Sequence, residues 1–342
     1  MPELLAIVVF GLFTFSKIAA ALITQSTIVG SKAFPTSLLS VKTSDIFSLD
    51  SIRSTLVRQE ETIIFALIER SQFFTNGDIY DCKKGHFRNV YGTPLSFLEY
   101  MLLETEKLHS KVRRYTSPEE TPFFPSLLPT PILPPLSYPQ ILTGKNEVNV
   151  NNELLRWYVE KIIKRLCKPG DDEQHGSSVL CDINALQALS RRVHYGRFVA
   201  ESKFRDSTER YTELVRAGDV AGIITELTNV EVERRVLRRA FAKASTYGQD
   251  ITGESVLSEN INMIIPLGLT EGYKVEPMLI ADIYRDLIIP LTKDVEVRYL
   301  FLRVGVDPPS PDLYYHLCRG PLDAFDDPDS TQLLINPPGP KS

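Results

Sequence analysis

The stretch SLDSIRSTLVRQEETIIFALIERSQFF, residues 48–74, decides how the chain is read. Leu49, Ile52, Leu56, Ile63, Ile64, Leu67 and Ile68 fall on one side of an α-helix at this spacing. Ser48 stands at an N-cap position, and Asp50 adds a negative charge to a first turn whose backbone N–H groups lack partners. Working outward, the same periodicity recurs in LSFLEYMLLETEKLHSKVRRY (95–115), NELLRWYVEKIIKRLCK (152–168) and INALQALSRRVHYGRFVAESKFR (183–205). Further helical stretches are expected at 207–217, 218–228, 230–246 and 277–303. Strand alternation is nearly absent, and the one Asn-Gly pair, Asn76-Gly77, lies in a polar loop. The expected fold is all-α: one large multi-helix domain spanning 46–303.

Between residues 118 and 139 eight prolines forbid regular helix. The aromatic and aliphatic residues among them predict an ordered loop lying on the helical body rather than a solvated linker. The last 39 residues, 304–342, carry eight more prolines and little apolar periodicity. An extended or disordered tail is expected there, with Leu333, Leu334 and Ile335 able to dock. At the other end, the uncharged apolar run Leu4–Ser16 is too short for a bilayer core of about 30 Å, which takes roughly 20 residues. Residues 20–43 hold no acid and many Ser, Thr and Ala, which is the composition of a transit peptide. Residues 1–45 are therefore expected to be a removable presequence. The Ala-Phe-Pro at 33–35 resembles the junction in bipartite plastid presequences, and a membrane anchor is the competing reading.

Composition narrows the chemistry. The 342 residues carry a net charge of −5, so no overall basic field draws in nucleic acid. The four cysteines (Cys82, Cys167, Cys181, Cys318) show no CxxC spacing and the five histidines no HxH or HExxH cluster, so neither a disulfide scaffold nor a metal site is expected. Polar residues at helical spacing are more suggestive. Arg53 lies within a turn of Leu49 and Leu56 and so borders the apolar stripe. Arg192 and Lys203 are eleven residues apart, about three turns, which projects both from one side of a single helix. Asn229 and Glu233 are i, i+4 neighbours, as are Thr292 and Glu296. Singly, each such residue is most often solvent-exposed. Gathered, they would line a cavity with three cations, two carboxylates and two neutral hydrogen-bonders, suited to a small dianion bearing a hydroxyl.

Four longer strings are more specific: SIRSTLVRQEETIIFALIERSQF (51–73), SKVRRYTSPEETPFFP (110–125), SRRVHYGRFVAESKF (190–204) and IPLTKDVEVRYL (289–300). In this order they resemble the eukaryotic, all-helical chorismate mutases of fungi and plants, over about residues 46–303. The resemblance implies a homodimeric enzyme without cofactor that rearranges chorismate to prephenate, toward phenylalanine and tyrosine. It implies that Arg53 and Arg192 hold the two substrate carboxylates, since a planar guanidinium can grip a carboxylate through two bonds. It assigns Lys203 and Glu296 to the ether oxygen, Asn229 and Glu233 to the ring hydroxyl and its surroundings, and Thr292 to a further carboxylate contact. Every aligned position carries the family's residue type.

The same resemblance implies tyrosine as inhibitor and tryptophan as activator. Arg113, Arg114, Gly176 and Ser177 match the effector region. The departures also lie there: Leu180 replaces a polar contact, and Glu173-Gln174-His175 replaces a more neutral turn. Packing without regulation is the bland alternative for Arg113 and Arg114. The presequence predicts a plastid location, with secretion or the cytoplasm as alternatives. It also leaves room for a different class of protein, a secreted or anchored scaffold of the same fold.

Overall fold

The computed structural model describes residues 48–84, 94–134, 142–144, 147–249 and 272–319. The expected presequence and the stretch Leu333 to Ile335 lie outside the described residues. Those that are described belong to one compact unit. They form helices and turns, with a single isolated bridge between Gln249 and Tyr273 as their only β pairing.

Helix α1 (Leu49–Arg70) starts as its sequence dictates, with the Ser48 Oγ accepting from the Ser51 N–H at 3.2 Å. Its apolar face is buried from Ile52 through Ile63, Ile64, Leu67 and Ile68, and lies along α5 (His175–His194). Below it, buried Glu60 takes both Nε and Nη2 of Arg239, at 2.8 and 2.6 Å, which ties α1 to α9 (Val230–Tyr247). Helix α2 (Phe97–Lys111) opens with a reciprocal capping box between Ser96 and Glu99. Helices α3 (Asn151–Trp157) and α4 (Ile163–Leu166) flank a π-turn at Tyr158–Ile162.

The expected single helix over 183–205 is corrected in two ways. It begins eight residues earlier, at His175, and Tyr195 separates α5 from α6 (Gly196–Asp206). Tyr195 keeps right-handed helical angles (φ −63°, ψ −15°), and its carbonyl receives the Phe198 N–H in a tightened three-residue turn. Arg192 and Lys203 thus come from two consecutive helices meeting at a bend, not from three turns of one. The chain continues through α7 (Thr208–Ala217) and α8 (Val220–Leu227) to α9. The last long helical region is α10 (Pro277–Ile283), a π-turn (Tyr284–Ile288) and α11 (Ile289–Val304). Pro290 sits in the first turn of α11, where its missing N–H costs least. Helix α11 is the central strut. It is buried along most of its length and packs against α5, α6, α7 and α8.

The Pro-rich loop is ordered over residues 118–134, as its apolar content predicted. Buried Glu106 on α2 accepts the N–H groups of Phe123 and Phe124 at 2.8 and 3.0 Å. Burial pushes this carboxyl up to about 7, against the pull of those two donors. Asn149 and Asn151 hold the carbonyls of Pro122 and Thr121. The expectation of an extended or disordered tail fails over residues 304–319. Gly305 in the left-handed region (φ 82°) ends α11, and a 3₁₀ turn (Pro311–Leu313) then leads into α12 (Tyr315–Cys318). Tyr314 and Cys318 are buried against the body. Proline-rich composition argues against long helices, not against a short segment anchored by aromatic side chains.

Candidate active site

Glu296 on α11 is the buried centre of a charged cluster. It lies within electrostatic reach of Lys203 on α6, Lys293 on its own helix, Glu233 on α9 and Arg192 on α5. Burial pushes its carboxyl up to about 7; Glu233 adds to the rise, and the three cations oppose it. The meeting of these helices depends on Gly196. A Cβ there would stand 2.9 Å from the Thr292 carbonyl oxygen, 3.0 Å from Thr292 Cγ2 and 3.3 Å from Glu296 Cγ. Only a residue without a side chain lets the bend between α5 and α6 rest directly on α11.

Arg192 is 5% exposed, and its Nε and Nη1 are buried with no hydrogen-bond partner. Its guanidinium carbon lies 6.0 Å from the centre of the Tyr284 ring, which the π-turn presents. Buried N–H groups on a cation are costly unless paired, so two such donors point to an acceptor that arrives from outside. Lys203 donates through Nζ to the Leu227 carbonyl at the end of α8. Glu233 is held by Lys293, with Nζ to Oε1 2.9 Å, and the Lys293 side chain is only 5% exposed. Lys293 is absent from the sequence reading. A lysine in a helical run looks solvated, and only the packing of α9 against α11 reveals a buried one.

Other expected residues stand further from this centre. Thr292 donates its hydroxyl to the Ile288 carbonyl at 2.6 Å, with its methyl against Gly196. Asn229 caps α9, its Oδ1 accepting from the Val232 N–H at 3.1 Å. Arg53 does not border the apolar core as expected. It lies in the exposed first turns of α1, its side chain 57% exposed and paired with Asp50 at 3.3 Å, while Ile52 beside it takes the buried position. No described hydrogen bond or ion pair joins it to Arg192 or Glu296. Among the described residues no group of His, Cys, Asp and Glu side chains could hold a metal ion.

The expected effector residues occupy two places that no described hydrogen bond or ion pair joins. Gly176 and Ser177 lie exposed in the first turn of α5. The loop before them is fixed by Asp172, whose carboxylate accepts from the Phe74 N–H (2.9 Å), Asn76 Nδ2 (2.8 Å) and the Gln174 N–H (3.0 Å). The Asn76-Gly77 pair thus serves this loop and not a hairpin. Arg113 takes a left-handed backbone (φ 69°) at the end of α2 and donates to the Pro134 carbonyl. Arg114 and Arg191 share the carboxylate of Glu120, at 3.3 and 2.6 Å, which links the Pro-rich loop to the residue beside Arg192.

The helical frame and this site have close counterparts. Residues 177–297 match the family model for chorismate mutase type II. A chloroplastic chorismate mutase 1 of Petunia hybrida is 43% identical over 265 residues, 77% of this chain and 78% of that protein. Among solved structures, the Candida albicans Aro7p chorismate mutase in complex with L-Trp is 42% identical. It covers 80% of this chain and 98% of its own, with a TM-score of 0.68. AtCM1 with tyrosine bound in its allosteric site is 41% identical over 77% of this chain and 98% of its own, TM-score 0.64. The fold and the site define an all-helical isomerase. The chain belongs to the eukaryotic chorismate mutase family.

Proposed function

We propose that the protein rearranges chorismate to prephenate, with Arg192, Lys203 and Glu296 as its central groups and Arg53, Asn229, Glu233 and Thr292 completing the site. The observation that carries this reading is Arg192, a buried cation with two unpaired donors beside the buried pair Lys203 and Glu296. The reaction is an internal rearrangement. One C–O bond breaks as one C–C bond forms, no nucleophile or proton transfer is required, and negative charge gathers on the ether oxygen. A protein can assist by holding the compact conformer through its carboxylates. It can also aim fixed donors at the developing charge. Arg192 serves the first task, and Arg53 joins it once its flexible side chain turns inward from Asp50. Lys203 and protonated Glu296 serve the second, the carboxyl being kept neutral by burial.

Turnover of chorismate by the purified full chain, followed by loss of its absorbance, tests the activity. No turnover would favour the scaffold reading. Lys203→Ala is expected to lower kcat by about a hundredfold or more, with little change in folded stability. Near-normal kcat in that variant would remove Lys203 from the mechanism.

Regulation by tyrosine and tryptophan extends this reading, with Gly176, Ser177, Arg113 and Arg114 as the effector residues. The related structures holding tryptophan and tyrosine support it. Activity titrated with each amino acid tests it. A homodimer is supported by exposed apolar residues at the end of α2 and in the loop beside it: Leu108, Val112, Ile132 and Leu133. Light scattering on the purified chain reads that state directly. A plastid location rests on the presequence composition and on the chloroplastic plant relative. A fluorescent fusion with N-terminal sequencing of the mature protein distinguishes plastid from secreted.

A further inference from the structure

Residues 306–319 follow the last long helix and turn back onto it. The exposed stretch after Gly305 leads to Pro311, which opens the 3₁₀ turn, and Tyr314 closes that turn by donating its N–H to the Pro311 carbonyl at 3.0 Å. Tyr314 is 2% exposed and Cys318 fully buried. The Tyr314 hydroxyl donates to Oδ1 of Asp294 at 2.6 Å. Asp294 is itself buried, two residues before Glu296 on α11, and the Nε and Nη2 groups of Arg298 hold it at 2.9 and 2.7 Å. Helix α12 packs on α11 and also on α8, whose terminal Leu227 carbonyl receives the Lys203 ammonium. Burial pushes the Cys318 thiol up to about 12, and the charges of Asp294, Lys293 and Glu296 all reach it. The segment therefore adjoins both supports of the donor pair: the helix that carries Glu296 and the helix end that steadies Lys203.

We propose that residues 306–319 brace the catalytic helix, with Tyr314 a positioning residue that acts on Glu296 and Lys203 through Asp294 and α8. The proposal rests on the reading of Lys203 and Glu296 as the pair at the ether oxygen. Tyr314 touches no reacting atom. It fixes the rotation of α11 by giving a buried carboxylate on its outer side a partner from a separate segment, so the inner side presents Glu296 at a constant height. The arginine of the carboxylate grip, Arg192, rides on α5, outside this bracing. Loss of the brace should therefore misalign the donors more than it weakens substrate binding.

The test is Tyr314→Phe in the full chain, which keeps the ring and removes one hydroxyl. The expected result is a kcat lowered by about fivefold with KM within about twofold of wild type. A second arm does not depend on that variant folding: a specific protease site is placed in the exposed 306–310 stretch and cut after the protein has folded. The cut protein is expected to lose kcat by at least as much, while its uncut parent matches wild type. A kcat within about twofold of wild type in both arms overturns the brace, whatever happens to Tm, and so does a kcat loss matched by an equal rise in KM. An inactive wild type overturns the site reading and the brace with it. An active wild type with unchanged variants overturns the brace alone.

Discussion

Two buried arginines in this molecule meet opposite fates. Arg70, at the end of α1, spends every nitrogen. Its Nε bonds Asp182 at 2.7 Å, Nη1 reaches the Phe73 and Phe74 carbonyls and Cys167 Sγ, and Nη2 reaches the Thr75 carbonyl and the Tyr80 hydroxyl. Asp182 is saturated in turn by the hydroxyls of Tyr80 and Tyr158. Arg192, on the same helix as Asp182, leaves two nitrogens buried and unpaired. Burial and charge alone do not separate structure from function here; completeness of pairing does. A saturated network has nothing left to offer a ligand, whereas an unsaturated one carries a desolvation cost that a ligand can relieve.

That contrast can be broken by experiment. Arg192→Ala should lower kcat/KM by about a thousandfold while unfolding free energy stays within about 1 kcal/mol of wild type, because no internal partner is abandoned. Steady-state kinetics and urea titration of the same preparation check both halves. Arg70→Ala should do the reverse: it strands buried Asp182 and should cost about 3–5 kcal/mol of stability, with KM unchanged in the protein that still folds. Equal stability losses in the two variants would dissolve the distinction.

Glu296 sharpens it further. Its folded pKa, about 7, lies above the ordinary carboxylate value, so the folded state holds this proton through the range where the unfolded chain has lost it. Stability from this group is present at low pH and declines as pH rises from the ordinary carboxylate value to about 7. Activity follows the same proton. Above pH 7 wild-type kcat should fall by up to about tenfold per unit, and Glu296→Gln should flatten that fall to less than about twofold. A pH–rate profile unaltered in the variant would remove Glu296 from donation. The smallest effect is expected at Gly196→Ala, where the new methyl must displace the Thr292 carbonyl or bend α6. A kcat loss of up to about tenfold with about 1–3 kcal/mol of destabilisation is expected, read from kinetics and thermal melts.

The helical frame was legible because its forces are local. The Ser48 cap, the stripe from Ile52 to Ile68 and the limits of α7, α8 and α9 follow from nearest-neighbour spacing, and the structure reproduces them. The apolar content of the Pro-rich loop likewise marked it as ordered. What stayed hidden depends on partners remote in sequence. Lys293 is buried because α9 brings Glu233 to it, sixty residues away. Gly196 matters only because α11 crosses there. Tyr314 sat in a run that composition marked as tail, and its anchor is one hydroxyl on a carboxylate twenty residues back. Arg53 shows the opposite error: it has the right spacing for the stripe, but the first turn of a helix is also its wettest.

The π-turn at Tyr284–Ile288 carries one consequence for how such a chain can change over generations. A π-turn is in effect one residue added to a regular helix. Here it separates α10 from α11 and faces Tyr284 toward Arg192. Deleting any one residue of the turn would restore an unbroken helix and rotate everything after it by about 100° relative to α10. Thr292, Lys293 and Glu296 would leave the pocket together, and Asp294 would leave Tyr314 as well. Substitutions in this region can be sampled one at a time, but length cannot. The helix acts as a ruler whose spare notch is already in use.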